Sequence, residues 1–191
     1  MLYWYSHWTQ EEKRQLIPLL RPYIDKDFAI TTKGYDFNQW CMLIVLADCG
    51  DELAFKKVVD TVASLTHDRE MLGMSRGFLS PVSLLRDARI VDLLITLLDD
   101  DVFFHVGVDT RPRNLSLSLS AAFPLYVMVS NFPEFDWVHF HNKERLELKE
   151  WIEKNRPLKI RPLDSLLYYT KNPIDNAEIW IKYYHVYGSS F

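Results

Sequence analysis

The stretch that decides the fold spans residues 37–65 and reads FNQWCMLIVLADCGDELAFKKVVDTVASL. Its first part is apolar on nearly every side from Trp40 to Ala47, and it ends at Gly50, the residue type that most easily adopts the left-handed conformation after a helix. In the second part, apolar residues at helical spacing form one stripe, which consists of Leu53, Val58, Val62 and Leu65. The charged residues Lys56, Lys57 and Asp60 lie away from this stripe. The sequence therefore predicts an αα-hairpin with a central first helix.

Helix signals recur on both sides of this hairpin. The start signals are Thr9 with Glu12 as a capping box, Ser80 followed by Pro81, Asn142, and Asp175 with Glu178. Proline shortens, kinks or ends the helices at Pro18, Pro22 and Pro157. These signals predict helices over 9–20, 78–99, 142–155 and 175–188, with a short helix at 161–170. The segment 78–99 is one helix, or two that break near Asp87.

The pattern changes after residue 101. Residues 102–108 (VFFHVGV) and 114–121 (NLSLSLSA) are aromatic, β-branched or alternating, and the polar turn DTRPR separates them, so a short β-hairpin is plausible. An apolar stripe at helical spacing also runs through 116–131, and this count favours a helix there; its residues are Leu115, Leu119, Ala122, Tyr126 and Val129. Both interpretations remain open at this point.

These segments predict a mainly α fold, a compact stack of about six to eight helices with at most one short β-hairpin near 102–120. No Gly/Ser-rich linker divides the chain, so residues 1–191 are expected to form a single helical domain. Residues 37–101 pair helices and end on acidic residues, and in this they resemble helical-repeat units of the HEAT kind.

Composition favours a cytoplasmic protein with no membrane partner. With 48% hydrophobic and 25% charged residues, the chain can bury a sizeable core without a metal or a disulfide. Cys41 and Cys49 lie on one predicted helix about 12 Å apart, which a disulfide cannot span. The chain shows no secretory start and no apolar run long enough to cross a membrane.

The charge distribution disfavours nucleic acid as a partner. The formal net charge is -4, and residues 1–101 hold 16 of the 26 acidic residues but only 11 of the 22 basic ones. Phosphate backbones would be repelled from such a surface. One basic run could still track phosphates, although the acidic helix before it favours a solvated surface; its residues are Lys154, Arg156, Lys159 and Arg161.

Residues 73–77 (GMSRG) match the G-x-S-x-G pattern that presents a nucleophilic serine in many hydrolases. That chemistry needs a strand entering the serine, a helix leaving it and a parallel sheet that supplies the oxyanion hole. The residues before Ser75 are helical and polar in pattern, and the chain lacks the alternating β and α segments of a hydrolase. We therefore expect a glycine-containing turn between helices and no enzymatic activity.

A metal site is the second chemical alternative. The segment EFDWVHFH offers Glu134, Asp136, His139 and His141, whose oxygen and nitrogen atoms suit zinc or iron. The spacing is loose, and an aromatic-rich surface turn is the simpler interpretation. Phosphate-binding glycine motifs are absent from the sequence, so no cofactor is expected.

An acidic and aromatic surface remains as the candidate partner-binding site. Three consecutive aspartates follow a predicted helix, where negative charge opposes the helix dipole and favours a role beyond folding. The candidate residues are Asp87, Asp92, Asp99, Asp100, Asp101, Phe103 and Phe104. Carboxylates there would pair with lysine and arginine of a partner while the aromatic rings fill pockets.

In general character, a compact acidic helical chain without catalytic or cofactor motifs resembles an immunity protein of a bacterial contact-dependent growth inhibition or polymorphic toxin system. This resemblance implies a protein that binds and neutralises a cognate toxin domain, often a basic nuclease, by placing carboxylates where phosphates would lie. The alternatives are a helical scaffold or adaptor that binds another protein, a small hydrolase using Ser75 or the histidine cluster, and a nucleic-acid binder through residues 154–161.

Overall fold

The computed structural model describes residues 9–23, 37–65, 79–100, 103–106, 113–135, 140 and 142–162. Its helices are α1 (Gln10–Arg14), α2 (Ile17–Leu20), α3 (Phe37–Asp48), α4 (Glu52–Ser64), α5 (Ala88–Leu97), α6 (Leu117–Met128) and α7 (Asn142–Lys154). Two 3₁₀ segments, Arg21–Tyr23 and Ser80–Leu84, and two strands, β1 (Phe103–Val106) and β2 (Arg113–Ser116), complete the described elements. The mainly α fold predicted from the sequence is confirmed.

The αα-hairpin of α3 and α4 is confirmed and turns at Gly50. This glycine has a φ of 93°, a left-handed conformation that suits a residue without a Cβ. Its N–H donates to the carbonyl of Ala47 at 3.0 Å, and the N–H of Asp51 donates to the carbonyl of Leu46 at 3.1 Å. These two bonds satisfy carbonyls that the end of α3 would otherwise leave without donors. Asp51 then begins α4 as its N-cap.

One hydrophobic cluster joins α3, α4, α5, α6 and α7. α3 contributes the fully buried Trp40, and α5 contributes the fully buried Leu94. α6 packs against α5 and against the segment Ser80–Leu84, which also contacts α3. α7 adds Leu148 and Ile152 from its inner side. α6 is buried on nearly every side, which explains why its sequence shows no clear polar face.

Residues 102–131 contain both a β-hairpin and a helix: the hairpin ends at Ser116, and the helix begins at Leu117. β1 and β2 pair antiparallel with Phe103 opposite Ser116, and α6 begins at the next residue. The Ser116 hydroxyl accepts a hydrogen bond from the N–H of Leu119 at 3.1 Å and lies 2.8 Å from the hydroxyl of Ser118. The Leu and Ser alternation after Ser116 therefore belongs to a buried helix start and not to a strand.

Three local predictions are wrong. Leu53 is 63% exposed, because the buried stripe of α4 runs through Ala54, Phe55, Val58 and Val62, from which Leu53 is displaced by about 100° or more around the helix. Ser80 lies inside a 3₁₀ segment whose N-cap is Leu79, so it does not cap a helix with its side chain. Asn142 is the first residue of α7 and not the residue before it.

The remaining fold predictions have mixed outcomes. The capping box of Thr9 and Glu12 is present. Of the two alternatives for 78–99, the structure has the break near Asp87, which separates Ser80–Leu84 from α5. Cys41 and Cys49 do not form a disulfide with each other. No helix in the described ranges has the length and apolar character needed to cross a membrane. Of the short helix predicted over 161–170, only Arg161 and Pro162 are described, and neither is helical; the rest of it and the helix predicted over 175–188 lie outside the described residues. The single domain over 1–191 stays a prediction.

Candidate protein-binding surface

The candidate partner-binding residues do not all lie on one surface. Asp87, Asp92, Asp99 and Asp100 are described, and they occupy the two ends and the exposed side of α5. Asp101 and the side chains of Phe103 and Phe104 lie outside the described part of the structure; only the backbone of the two phenylalanines is placed, in β1.

Asp87 caps α5. Its carboxylate accepts a hydrogen bond from the N–H of Arg89 at 2.8 Å and pairs with the guanidinium of the same arginine, also at 2.8 Å. The side-chain hydrogen bond from Arg89 is the main cause that lowers the pKa of Asp87. The guanidinium in turn stacks on the ring of Phe55, 3.9 Å from its centroid, and so links α5 to α4. The role of Asp87 is therefore local, as the cap of α5 and the partner of Arg89. It does not belong to the acidic surface formed by Asp92 and Asp99.

Asp92, on the exposed side of α5, and Asp99, just beyond its C-terminal end, pair with residues of the α7 region. Nη1 of Arg156 lies 3.2 Å from Oδ1 of Asp92, and Nε of the same arginine donates to Oε1 of Glu153 at 3.2 Å. Asp99 forms an ion pair with Lys149. We call these five residues, Asp92, Asp99, Lys149, Glu153 and Arg156, the α5–α7 face. The two pairs follow α5 and α7 in antiparallel order.

The carboxylates of the α5–α7 face remain largely in solvent. The side chains of Asp92, Asp99 and Glu153 are 63%, 65% and 70% exposed. Arg156 is shared between two carboxylates, and its hydrogen bonds to Glu153 and then Asp92 raise its pKa. Ion pairs this exposed add little to stability, about 0–1 kcal/mol each. The face therefore presents acidic oxygens that another cation can reach.

Asp99 and Asp100 follow the last turn of α5, as the sequence predicts. Their N–H groups donate to the carbonyls of Thr96 and Leu97 at 3.3 and 3.2 Å. Carboxylates at this end of a helix oppose its dipole. The ammonium group of Lys149 offsets this effect at Asp99.

The other sequence candidates do not assemble into a site in the described residues. Ser75, Asp136, His139 and His141 lie outside those residues, and Glu134 is exposed. Within the described ranges no group of three His, Cys, Asp or Glu side chains could hold a metal ion.

The basic run at 154–161 is engaged with neighbouring groups of this chain. Lys154 pairs with Glu150 at 3.8 Å, and Arg156 belongs to the α5–α7 face. Nη2 of Arg161 donates to the carbonyl of Val129 at 2.9 Å. Lys159 is exposed. The run is thus a mixed-charge surface in which some of the cations already have partners.

Two cations in contact with the core were not identified from the sequence, the buried Lys13 and the half-buried Arg86. Lys13 is 4% exposed and pairs with Asp48 at 2.7 Å, which fixes α1 against the end of α3. Arg86 donates from Nη1 to the carbonyl of Val127 at 3.0 Å, near the end of α6. Burial, and then the neighbouring Arg161, lower the pKa of Arg86 to about 10, while Asp48 acts in the opposite direction. No local pattern marks either residue, because charges on short or irregular segments normally face solvent.

No protein-family model, curated protein or solved structure matches this chain. The geometry of the α5–α7 face allows its exposed ion pairs to exchange with the charged groups of a partner.

Proposed function

We propose that this protein binds a basic protein partner through the α5–α7 face and acts as an immunity protein that neutralises a toxin domain. The observation that supports the proposal is the row of exposed carboxylates at Asp92, Asp99 and Glu153, which two neighbouring cations hold in place without covering them.

A basic partner gains from this arrangement in two ways. Lys149 and Arg156 orient the carboxylates before the partner arrives, so less side-chain entropy is lost on binding. Lysine or arginine of the partner can then replace or supplement these exposed pairs, and the contact becomes stronger as the interface excludes water. A nuclease whose active site binds phosphates has the basic surface that such a row would cover.

The test begins with capture of the partner from a lysate of the source cell and identification by mass spectrometry. The purified partner is then titrated with wild-type protein and with the variants Asp92→Lys and Asp99→Lys. Each reversal removes one carboxylate and adds a repelling cation, and we expect at least a tenfold loss of affinity, about 1.4 kcal/mol or more. Higher salt should slow association of the wild type, because electrostatic steering is screened.

Asp60→Lys is the matched control. Asp60 lies on α4, is 60% exposed and pairs with Lys56, so its reversal creates the same local repulsion away from the α5–α7 face. It should leave affinity unchanged. Equal affinity for all four proteins would exclude the face as the interface.

The neutralising role needs a separate measurement. The partner should be toxic when expressed alone and harmless when expressed with this protein, and protection should weaken with Asp99→Lys. Binding that leaves the partner's activity intact would support the helical scaffold or adaptor instead.

A further inference from the structure

Arg86 holds two buried N–H groups without an acceptor in the described residues. Its Nη1 donates to the carbonyl of Val127 at 3.0 Å, while Nε and Nη2 are buried and have no hydrogen-bond partner there. An unpaired buried donor costs about 1–3 kcal/mol, and more when it is charged. We therefore expect an acceptor for the Nε–H and Nη2–H groups of Arg86.

The end of α6 explains only part of this arrangement. Arg86 and Arg161 donate to the carbonyls of Val127 and Val129, two residues apart, and cations favour the negative end of a helix dipole. That role uses Nη1 of Arg86 and leaves the opposite edge of the guanidinium without a function. Nε–H and Nη2–H on that edge point the same way and can bind two oxygen atoms of one carboxylate or phosphate.

We propose that the Nε and Nη2 edge of Arg86 binds a small oxyanion, a phosphate or a carboxylate, beside the guanidinium of Arg161. Arg86 is half-buried as a residue, but its Nε and Nη2 atoms are themselves buried, so an anion reaches them only when the groups that cover this edge move aside. This site is separate from the α5–α7 face and would attract a ligand of the opposite charge.

The substitution Arg86→Lys separates the effect on ligand binding from the effect on folding. Arg86→Lys keeps a positive charge and a donor for the carbonyl of Val127, but it removes the planar edge. Arg86→Lys should therefore fold with a thermal midpoint close to that of wild type and lose oxyanion affinity at least about tenfold. Lys159→Gln is the control, because it removes an exposed charge from the same segment as Arg161 and leaves the edge intact.

The experiment titrates the full chain with inorganic phosphate, and separately with acetate, at constant ionic strength, while the arginine Nε–H resonances are followed by NMR. We expect one Nε–H resonance, which is absent in Arg86→Lys, to move in a saturable way, and the thermal midpoint of the wild type to rise with it. Tighter binding of phosphate assigns a phosphate ligand, and tighter binding of acetate assigns a carboxylate.

Three results would overturn the proposal. In the first, neither anion moves that resonance, which leaves water as the acceptor of the two N–H groups. In the second, Arg86→Lys binds the anion as tightly as wild type does. In the third, Lys159→Gln loses as much affinity as Arg86→Lys, which would show a general effect of positive charge.

Discussion

Asp51 joins the turn of the αα-hairpin to the N-terminal segment, and its removal should destabilise the fold. Its Oδ1 accepts hydrogen bonds from the N–H groups of Leu53 and Ala54, both at 3.1 Å, and its carboxylate pairs with Arg21. The side chain is only 3% exposed, so water cannot replace it as the acceptor. Asp51→Ala would leave the N–H of Ala54 buried and unpaired.

The size of the effect follows from these contacts. Loss of an N-cap side chain costs about 0.5–2 kcal/mol, and an unpaired buried donor puts Asp51→Ala at the upper end, about 2 kcal/mol. The pair with Arg21 adds little, because Arg21 is 61% exposed. Asp51→Asn keeps an oxygen acceptor and loses only the charge, so we expect a loss below about 1 kcal/mol.

Urea unfolding followed by circular dichroism measures both variants, and linear extrapolation gives their free energies of unfolding. Thermal midpoints should fall by about 4–8 °C for Asp51→Ala, since about 2–4 °C accompany each kcal/mol in chains of this size. An unchanged midpoint for Asp51→Ala, or equal losses for both variants, would refute the capping role.

The pH dependence gives an independent check on Asp51. Burial raises its pKa, but the hydrogen bond from Ala54 and the contacts with Arg21 and Leu53 outweigh burial, so the folded pKa lies below the ordinary value. A carboxylate of this kind stabilises the fold above its unfolded pKa, and the contribution is lost as the pH falls through the folded pKa. The difference between wild type and Asp51→Asn should therefore shrink on acidification across that interval. A difference that grows would contradict the assignment.

Two further substitutions test the helix ends. Asp87→Ala should lower the free energy of unfolding by about 1 kcal/mol through loss of the α5 cap, without weakening partner binding, and parallel unfolding and binding titrations separate the two effects. Gly50→Ala should lower the free energy of unfolding by about 1–2 kcal/mol, because the φ of 93° is strained for alanine. A Cβ at this position would meet no atom within 4 Å, so a steric clash does not contribute. An unchanged urea midpoint would exclude the backbone strain.

The sequence predicts best where a helix boundary and a burial pattern are both encoded locally. In the stretch 37–65 the apolar run, Gly50 and the stripe through Val58 and Val62 agree, and the αα-hairpin follows from them. Around Ser116 the local signals conflict, because alternating Leu and Ser suit a strand as well as a helix that is buried on every side. Only the packing of α6 against α5 and the segment Ser80–Leu84 decides between them.

The burial of Lys13 and the partial burial of Arg86 could not be predicted for a related reason. Lys13 lies on the five-residue helix α1, and its burial depends on Asp48, 35 residues along the chain. Arg86 lies between a 3₁₀ segment and α5, and its acceptor at Val127 is 41 residues away. A charge is buried only where a distant partner compensates for the loss of water, and no local window of sequence contains that partner.

The α5–α7 face could not be predicted from the sequence either, although the spacing of its charged residues is consistent with it. Asp92 and Asp99 are seven residues apart, as are Lys149 and Arg156, and seven residues correspond to about two helical turns. Two antiparallel helices with equal spacing of opposite charges can pair at both positions, and the structure pairs Asp92 with Arg156 and Asp99 with Lys149. Many other pairs in the chain have this spacing, and the burial of Leu148 and Ile152 in the common core, not the charge spacing, fixes the position of α7. A partner that recognises the face therefore recognises the packing of two helices, so a core substitution such as Ile152→Ala should weaken binding although no surface charge changes.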